Sequence, residues 1–563
     1  MGVPTLFRHL FEMYGLEIIK PNVSSCDYLF FDFNSILYNV YAKDVLKHQQ
    51  KSVFIQSIFS ELLALCQRMN PTKFVGIYFD GVAPRSKMIQ QRSRRYKSIL
   101  VQRLLSKEDE FPITNHICPG TEFMQELCLY LERHLPSLKK QLSHRPKLLL
   151  STVNVPGEGE HKIMDDIRQK FKFEETDSVV VMSPDNDLIS LLMLNQNKNV
   201  LLMRYMDISF QKWNLSEEED SLFFISIDVI KRKFQQENKL YTDMENLLLD
   251  YNFLLSICGN DFVTVIPFMR IKNGGMDKLL SIYKNYSRKQ NEYLIEKNND
   301  FHVNDNFFLY IMIELSKMER YECKKWGSFI ERERNHPDYR IDNDESLSKS
   351  QKKEAKINHL YLCNANHPLR DVYVKEFETL PFDKIETDFK TFKNEYYHYF
   401  ISEFSFSEMR RLVTEYLKSL KYTLIYYNRE CPSESWYYPF RCAPFFSDVV
   451  YFFQRRNFNF TMLTFSNHRK YSPYEQLMMI LPKESSSVLP TCFSTLFSKY
   501  RCNYPSGEYK VDALQGMKFI YSEVILKEWK YLPSLFLDIK NLEKYFTENE
   551  KKRNLVTYQT IEC

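Results

Sequence analysis

DSVVVMSPDND, residues 177–187, is a continuous β-branched run that stops at two acids, Asp185 and Asp187. A run that is apolar at consecutive positions, not alternate ones, reads as a strand buried on both faces. Three other stretches share this form. DYLFFDFN (27–34) ends at Asp32 and Asn34, KFVGIYFD (73–80) at Asp80, and KLLLSTVNVPGEGE (147–160) at Glu158 and Glu160. Helical patterns lie between them, as in SVFIQSIFSELLALCQRM (52–69) and TEFMQELCLYLERHL (121–135). Strands alternating with helices predict an α/β fold with a mostly parallel central sheet flanked by helices. In such sheets ligands bind beyond the carboxyl ends of the strands, which is where these acids fall.

The acid cluster therefore consists of Asp32, Asp80, Glu158, Glu160, Asp185 and Asp187. Asp261 joins them, from GNDF at the end of the apolar helical run 244–262. In the DND triplet, an i,i+2 pair leaving a strand keeps both carboxylates on one side. Any one of these acids alone reads more readily as a helix cap or a surface group. Seven at one sheet edge would repel one another unless divalent cations neutralised them. All-oxygen ligation without His or Cys suits Mg²⁺ or Mn²⁺. Two such ions about 4 Å apart can activate water and stabilise a leaving oxygen in phosphodiester cleavage. Asp165 and Asp166 read as solvated residues of the helix that follows Glu160. His161 reads as a hydrogen-bonding residue at that helix start.

DGVAPRSKMIQQRSRRYK (80–97) carries six cationic side chains after Asp80 and no further acid. Pro84 suits a first helical turn. Lys87, Gln91, Arg94 and Arg95 then share one helix face at i, i+4, i+7 and i+8. Three cations and an amide converging there could hold a phosphate, with Arg offering forked hydrogen bonds. The rival reading is a solvated helix or a general backbone-binding patch.

The 563-residue chain has a net charge of only +4, so attraction to nucleic acid has to come from local clusters. Its twelve cysteines include no CxxC pair, which argues against a zinc ribbon and for reduced thiols in an intracellular setting. No run of about 18 apolar residues and no signal-peptide pattern occurs, so a soluble protein is expected. The predicted organisation is a nuclease core with metal site and phosphate pocket at 1–290, then a charged, partly disordered insertion at 291–360. A second core region at 361–540 and a flexible tail at 541–563 follow.

These motifs resemble the Xrn-type 5′→3′ exoribonucleases, which belong to the PIN/flap-endonuclease-like superfamily. The matching stretches are MGVPTLFRHLFEMYG, DGVAPRSKMIQQRSRRYKS, CPGTEFM, VPGEGEHKIMDDIR, SPDNDLISLL, GNDF and GGMDKLLSIYK. In the second half they are IYYNRECPSESWYYPFRCAP, PYEQLMMILP and VLP. The resemblance implies a compact member containing the two core regions, with a helical and aromatic-rich second region wrapping the active site. It implies a processive enzyme that degrades single-stranded RNA bearing a 5′-monophosphate to mononucleotides, with two Mg²⁺ ions for which Mn²⁺ can substitute. The seven acids would be the catalytic metal ligands. Lys87, Gln91, Arg94 and Arg95 would be the 5′-phosphate pocket, Tyr38 and Trp436 the base-stacking pair, and Asn34 a supporting residue. It further implies a monomer, more cytoplasmic than nuclear, with decapping machinery as a partner and no membrane.

Several positions depart from the family pattern. Tyr38 stands where the family has a stacking His; it keeps a stacking face but cannot carry a positive charge. SPDNDL replaces GLDADL, RCAP replaces HYAP, and Glu434 replaces the first Trp of PSWxW. The alternatives carried forward are a flap-type structure-specific DNA endonuclease, which shares the metal core, and a catalytically inactive RNA-binding scaffold.

Overall fold

The computed structural model of this chain describes residues 3, 5–20, 22–42, 50–105, 113–196, 199–205, 222–238, 241, 243–297, 301–334, 348, 351, 382–401, 403–456, 458–466, 469–504, 510–511, 520–521 and 529–563. Seven strands of one sheet come from the first 226 residues: β1 (Ile19–Lys20), β2 (Tyr28–Asp32), β3 (Phe74–Tyr78), β4 (Lys147–Ser151), β5 (Val179–Met182), β6 (Val200–Tyr205) and β7 (Leu222–Ser226). The order is β1-β7-β6-β5-β2-β3-β4, and an eighth strand, Ile561–Glu562, lies beyond β4. Strands β6, β5, β2, β3 and β4 run parallel, while β7, β1 and the C-terminal strand are antiparallel to their neighbours. The four apolar runs that end in acids are the adjacent central strands β5, β2, β3 and β4.

Alternation of side chains across the pleat splits the core in two. Phe30, Phe74, Leu149, Val179, Val181 and Leu202 face one helical layer, which continues into the second half of the chain. Leu29, Phe31, Val75, Ile77, Leu148, Val180 and Met182 face the other, with Leu62 and Leu127 from the helices Lys51–Met69 and Glu122–Gln141. The parallel ladder continues past the strand ends. Phe33 N donates to Tyr78 O at 2.9 Å and Phe79 N to Ser151 O at 2.9 Å. Gly81 and Gly157 tie the DGV and PGEG loops together through Gly81 N to Gly157 O and Gly157 N to Val82 O, both at 2.8 Å. A Cβ at Gly81 would fall 1.8 Å from Val155 O, so only glycine permits this approach. The loops that carry Asp80, Glu158 and Glu160 are thereby locked to one another.

Two expectations change. The stretch 291–360 contains a 30-residue helix, Asp305–Arg334, whose buried Glu319 accepts hydrogen bonds from the Ser447 backbone and hydroxyl. Apolar positions at helical spacing, including Phe307, Phe308, Ile311 and Leu315, are fully buried, which outweighs the charged composition around them. The charged run 335–356 lies almost wholly outside the described residues. The 541–563 tail does not fray: Ile561 and Glu562 pair with Leu150 and Leu149, covering the otherwise open edge of β4. Among the described residues no helix is long and apolar enough to cross a membrane, and none of the described cysteines is disulfide-bonded.

Candidate active site

The seven acids emerge from the ends of four strands and one helix, and the local chemistry orients them. Asp32 closes β2 and accepts the Ser183 hydroxyl at 2.8 Å, from the turn after β5. Asp80, two residues beyond β3, accepts the Gly159 backbone N–H at 2.7 Å and the Asn34 amide at 2.7 Å. A Cβ at Gly159 would lie 2.9 Å from Asp32 Oδ1 and 3.5 Å from Asp80 Oδ1, so the GEGE glycine sits between these two carboxylates. Glu158 and Glu160 flank it at the start of the helix Gly159–Gln169. Asp187 opens the helix Asp187–Met193 and accepts the Val3 N–H at 2.5 Å. Asp261 follows the helix Met244–Ile257 and accepts the Gln90 amide.

Lys87 lies among these acids. Its Nζ is 2.7 Å from Asp261 Oδ2, 2.9 Å from Glu158 Oε1 and 4.0 Å from Glu160 Oε1. The basic helix, Arg85–Leu105, therefore turns the Lys87–Gln90–Arg94 side of its surface toward the carboxylates. Arg94 is half-buried, and its Nε has no partner among the described residues. Gln91 is half-buried, and its Oε1 accepts from Gln476 at 3.2 Å. Arg95 is more enclosed; it donates to Ile117 O at 3.1 Å and reaches the exposed Tyr38 hydroxyl at 3.5 Å.

One cation cannot neutralise so many buried acids. Burial, then Asp80 and Asp185, push Asp32 well above the usual carboxylate range. Burial does the same to Glu160; Lys87 offsets part of this while Asp187, Glu158 and Asp185 add to it. Asp187 is pushed up to about 6 by burial and Asp261, again partly offset by Lys87. Burial also works on Asp185 and Asp261, but nearby cations, Lys87 and Arg94 among them, override it and leave both low, Asp261 at about 2. The cations present, Lys87 and Arg94 among them, thus leave part of the acid cluster uncompensated. Glu160 Oε2 is buried with no hydrogen-bond partner among the described residues, and carboxylates crowded around an orphaned oxygen fit a hard divalent cation. Glu158, Glu160 and His161 also present ligand atoms within 4.8 Å of one another.

The second half of the chain completes the site. The helix Phe406–Asn428 delivers two buried tyrosines: Tyr426 donates to Glu158 Oε2 at 3.0 Å and Tyr427 to Asp187 Oδ2 at 2.9 Å. One turn earlier, Tyr422 receives the Ser86 hydroxyl at 3.0 Å at the start of the basic helix. The sequence marks IYYN as a motif but gives these rings no role; adjacent tyrosines at a helix end beside acid-bearing loops are the available signal. Trp436 lies against Tyr422 at 4.6 Å and Phe465 at 5.8 Å, and donates to Glu415 at 2.8 Å. Two other readings are corrected. Asp166 is buried and accepts the Tyr78 hydroxyl at 2.7 Å, because the strand residue reaches across to its helix. His161 is buried, its Nε2 has no hydrogen-bond partner among the described residues and its ring lies 3.8 Å from Tyr426, so that nitrogen makes no capping bond there.

Residues 1–206 match the family described as XRN 5′-3′ exonuclease N-terminus, and residues 241–562, more than half of the chain, match the Xrn1 helical domain. The chain belongs to the Xrn 5′-3′ exonuclease family. The boundary between the two matches separates the strand-borne acids from the tyrosine helix. Asp261 alone among the seven acids falls in the Xrn1 helical domain. Similar proteins include human 5′-3′ exoribonuclease 1, 25% identical over 614 residues covering 100% of this chain and 35% of that protein. The Schizosaccharomyces pombe 5′-3′ exoribonuclease 1 is 25% identical over 676 residues, covering 100% of this chain and 50% of that protein. The Drosophila melanogaster 5′-3′ exoribonuclease 2 homolog is 26% identical over 677 residues, covering 98% and 72% respectively. The chain thus spans half or less of the length of the first two relatives.

Proposed function

We propose that this protein is a processive 5′→3′ exoribonuclease that removes mononucleotides from single-stranded RNA bearing a 5′-monophosphate. The observation that carries the reading is the contact of Lys87 with Glu158 and Asp261. It brings the basic helix against the acid cluster, so a phosphate-binding face adjoins the place where a bond would be cut. Asp32, Asp80, Glu158, Glu160, Asp185, Asp187 and Asp261 would hold two Mg²⁺ ions, with Mn²⁺ as a substitute. Bound there, such ions supply an activated water and neutralise the charge that develops on the leaving oxygen.

The chain's own groups do the rest. Tyr426 and Tyr427 hold Glu158 and Asp187 in fixed orientations, and Asn34 holds Asp80. Lys87 and Arg94 attract the 5′-phosphate, and Gln91 and Arg95 line the same face of the helix. A triphosphate or cap fits such a site badly through charge and bulk, so decapping machinery would supply the substrate, in the cytoplasm. Tyr38, exposed beside Arg95, offers a stacking face for the first base, a sequence-tolerant contact that suits stepwise movement. Trp436 is the second candidate for that stack. The protein would act as a monomer.

The test is a digest of end-labelled RNAs carrying hydroxyl, monophosphate, triphosphate or cap at the 5′ end, beside a circular RNA and a flapped DNA duplex. The reading predicts Mg²⁺-dependent shortening of the monophosphate RNA with mononucleotide release. Undiminished activity in EDTA, or equal activity on circular RNA, contradicts it. Preference for the flapped duplex would favour the DNA endonuclease, and tight RNA binding without cleavage in Mn²⁺ the inactive scaffold.

A further inference from the structure

The orientation of Gln91 is set from the far end of the sequence. Gln476 sits on the wholly buried helix Pro473–Ile480 and is itself 1% exposed. Its Oε1 receives the Ala83 backbone N–H at 2.8 Å. A backbone N–H can only donate, so the side-chain atom facing it has to be the carbonyl oxygen. The amide NH₂ of Gln476 is then left to donate to Gln91, whose atom at 3.2 Å is Oε1. Gln91 in turn has its oxygen engaged, and its NH₂ has no partner among the described residues.

The helix that carries Gln476 is held at its start by a reciprocal cap between Ser472 and Glu475 and by Tyr474 N donating to Asn554 at 3.0 Å. Ala83 lies just ahead of the basic helix. The chain of donors Ala83 to Gln476 to Gln91 therefore starts just ahead of the basic helix, passes through the capped helix Pro473–Ile480 and returns to the basic helix. Without it, either end of the Gln91 amide could face outward, and an outward oxygen would set a lone pair against an anion.

We propose that Gln476 is a positioning residue for 5′-end discrimination: it fixes the Gln91 amide so that the NH₂ group, not the oxygen, faces the 5′-phosphate. This rests on the phosphate-pocket reading above. It assigns part of the end preference to a side chain that touches no substrate.

The experiment compares kcat/KM for 5′-monophosphate and 5′-hydroxyl RNA of the same sequence in the full chain. In Gln476→Met the ratio is expected to fall about fivefold, the value of one neutral hydrogen bond, with the loss falling on KM and with Mn²⁺ affinity unchanged. In a Gln91→Ala background the same substitution is expected to change the ratio no further. Gln91→Glu, at a half-buried position, is the second variant. Gln476 would hold one carboxylate oxygen and leave the other facing the phosphate, so the ratio should fall below that of Gln91→Ala. The inference is overturned if Gln476→Met keeps the wild-type ratio, if its effect persists undiminished in Gln91→Ala, or if Gln91→Glu matches or exceeds Gln91→Ala. A wild-type protein without end preference, unchanged by Arg94→Ala, would instead overturn the pocket reading and the inference together.

Discussion

The two halves of the site are built on opposite principles. The α/β half supplies six of the seven acids, from the ends of β2, β3 and β5 and from the helix start that follows β4. The helical half supplies Asp261 together with the Tyr426 and Tyr427 hydroxyls, which donate to Glu158 and Asp187. One half concentrates negative charge, and the other uses buried hydroxyls to hold two of those carboxylates in place. The Glu158 and Asp187 carboxylates and the hydroxyls that orient them thus come from regions more than 200 residues apart.

Breaking the acid half should have the largest effect. Asp185→Ala should lower turnover of 5′-monophosphate RNA by roughly 10³-fold or more, because an ion that is lost or displaced removes several kcal/mol of charge stabilisation. Steady-state kinetics in Mg²⁺ read this directly, and a loss under tenfold would remove Asp185 from the cluster. Breaking the orienting half should cost less. Tyr427→Phe and Tyr426→Phe each keep the ring but remove the hydrogen bond, and should weaken Mn²⁺ binding by about 10–100-fold, as is typical of groups that orient ligands. Calorimetric titration checks this, and unchanged affinity would reduce the tyrosines to packing.

The charge imbalance gives a pH signature. Asp187 is raised from 3.8 to about 6 in the folded chain, and Asp32 and Glu160 are raised with it. A carboxyl whose folded pKa is raised contributes stability that is complete below the unfolded value and is lost as pH climbs through the folded one. Metal-free protein should therefore melt at a lower temperature at pH 8 than at pH 5. Added Mg²⁺ should raise the midpoint more at pH 8, where fewer protons have to be displaced. Melting curves in EDTA and in Mg²⁺ at the two pH values decide it; a metal-dependent gain that is larger at pH 5 would contradict the electrostatics. The smallest effect belongs to the sheet edge. Removing Ile561–Cys563 uncovers β4 and should cost about 1–2 kcal/mol, measured by chemical denaturation, with little change in turnover.

The same contrast accounts for what is legible in the sequence. The four central strands can be read because each is a continuous apolar run terminated by an acid, a pattern that helices and loops seldom produce. VLLMRY (200–205) and LFFIS (222–226) are strands too, and the reading passes over them although Asp207 and Asp228 follow two residues on, the spacing of Asp80 after β3, so an acid after a strand does not by itself mark the site. The face of the basic helix is legible from spacing alone. Which neighbours its residues meet is not, since Lys87 against Glu158 and Asp261 depends on how the GEGE and GNDF loops close. The tyrosines are hardest to see. In a chain with 37 Tyr and 44 Phe, Tyr426 and Tyr427 look like core, and only the position of their hydroxyls distinguishes them. Asp166 misleads for the mirror-image reason: its helix face reads as solvated until Tyr78 reaches it across the sheet edge.

The central claim is that acids from separate strand and helix ends form one divalent-cation site whose geometry the second half maintains. The most direct measurement is a Mn²⁺ titration of the full chain followed by electron paramagnetic resonance, for the wild type, Asp187→Asn and Tyr427→Phe. The account predicts about two bound ions in the wild type, loss of binding in Asp187→Asn, and weakened binding with both ions retained in Tyr427→Phe. Identical titrations for all three proteins, or no specific binding to the wild type, would contradict it.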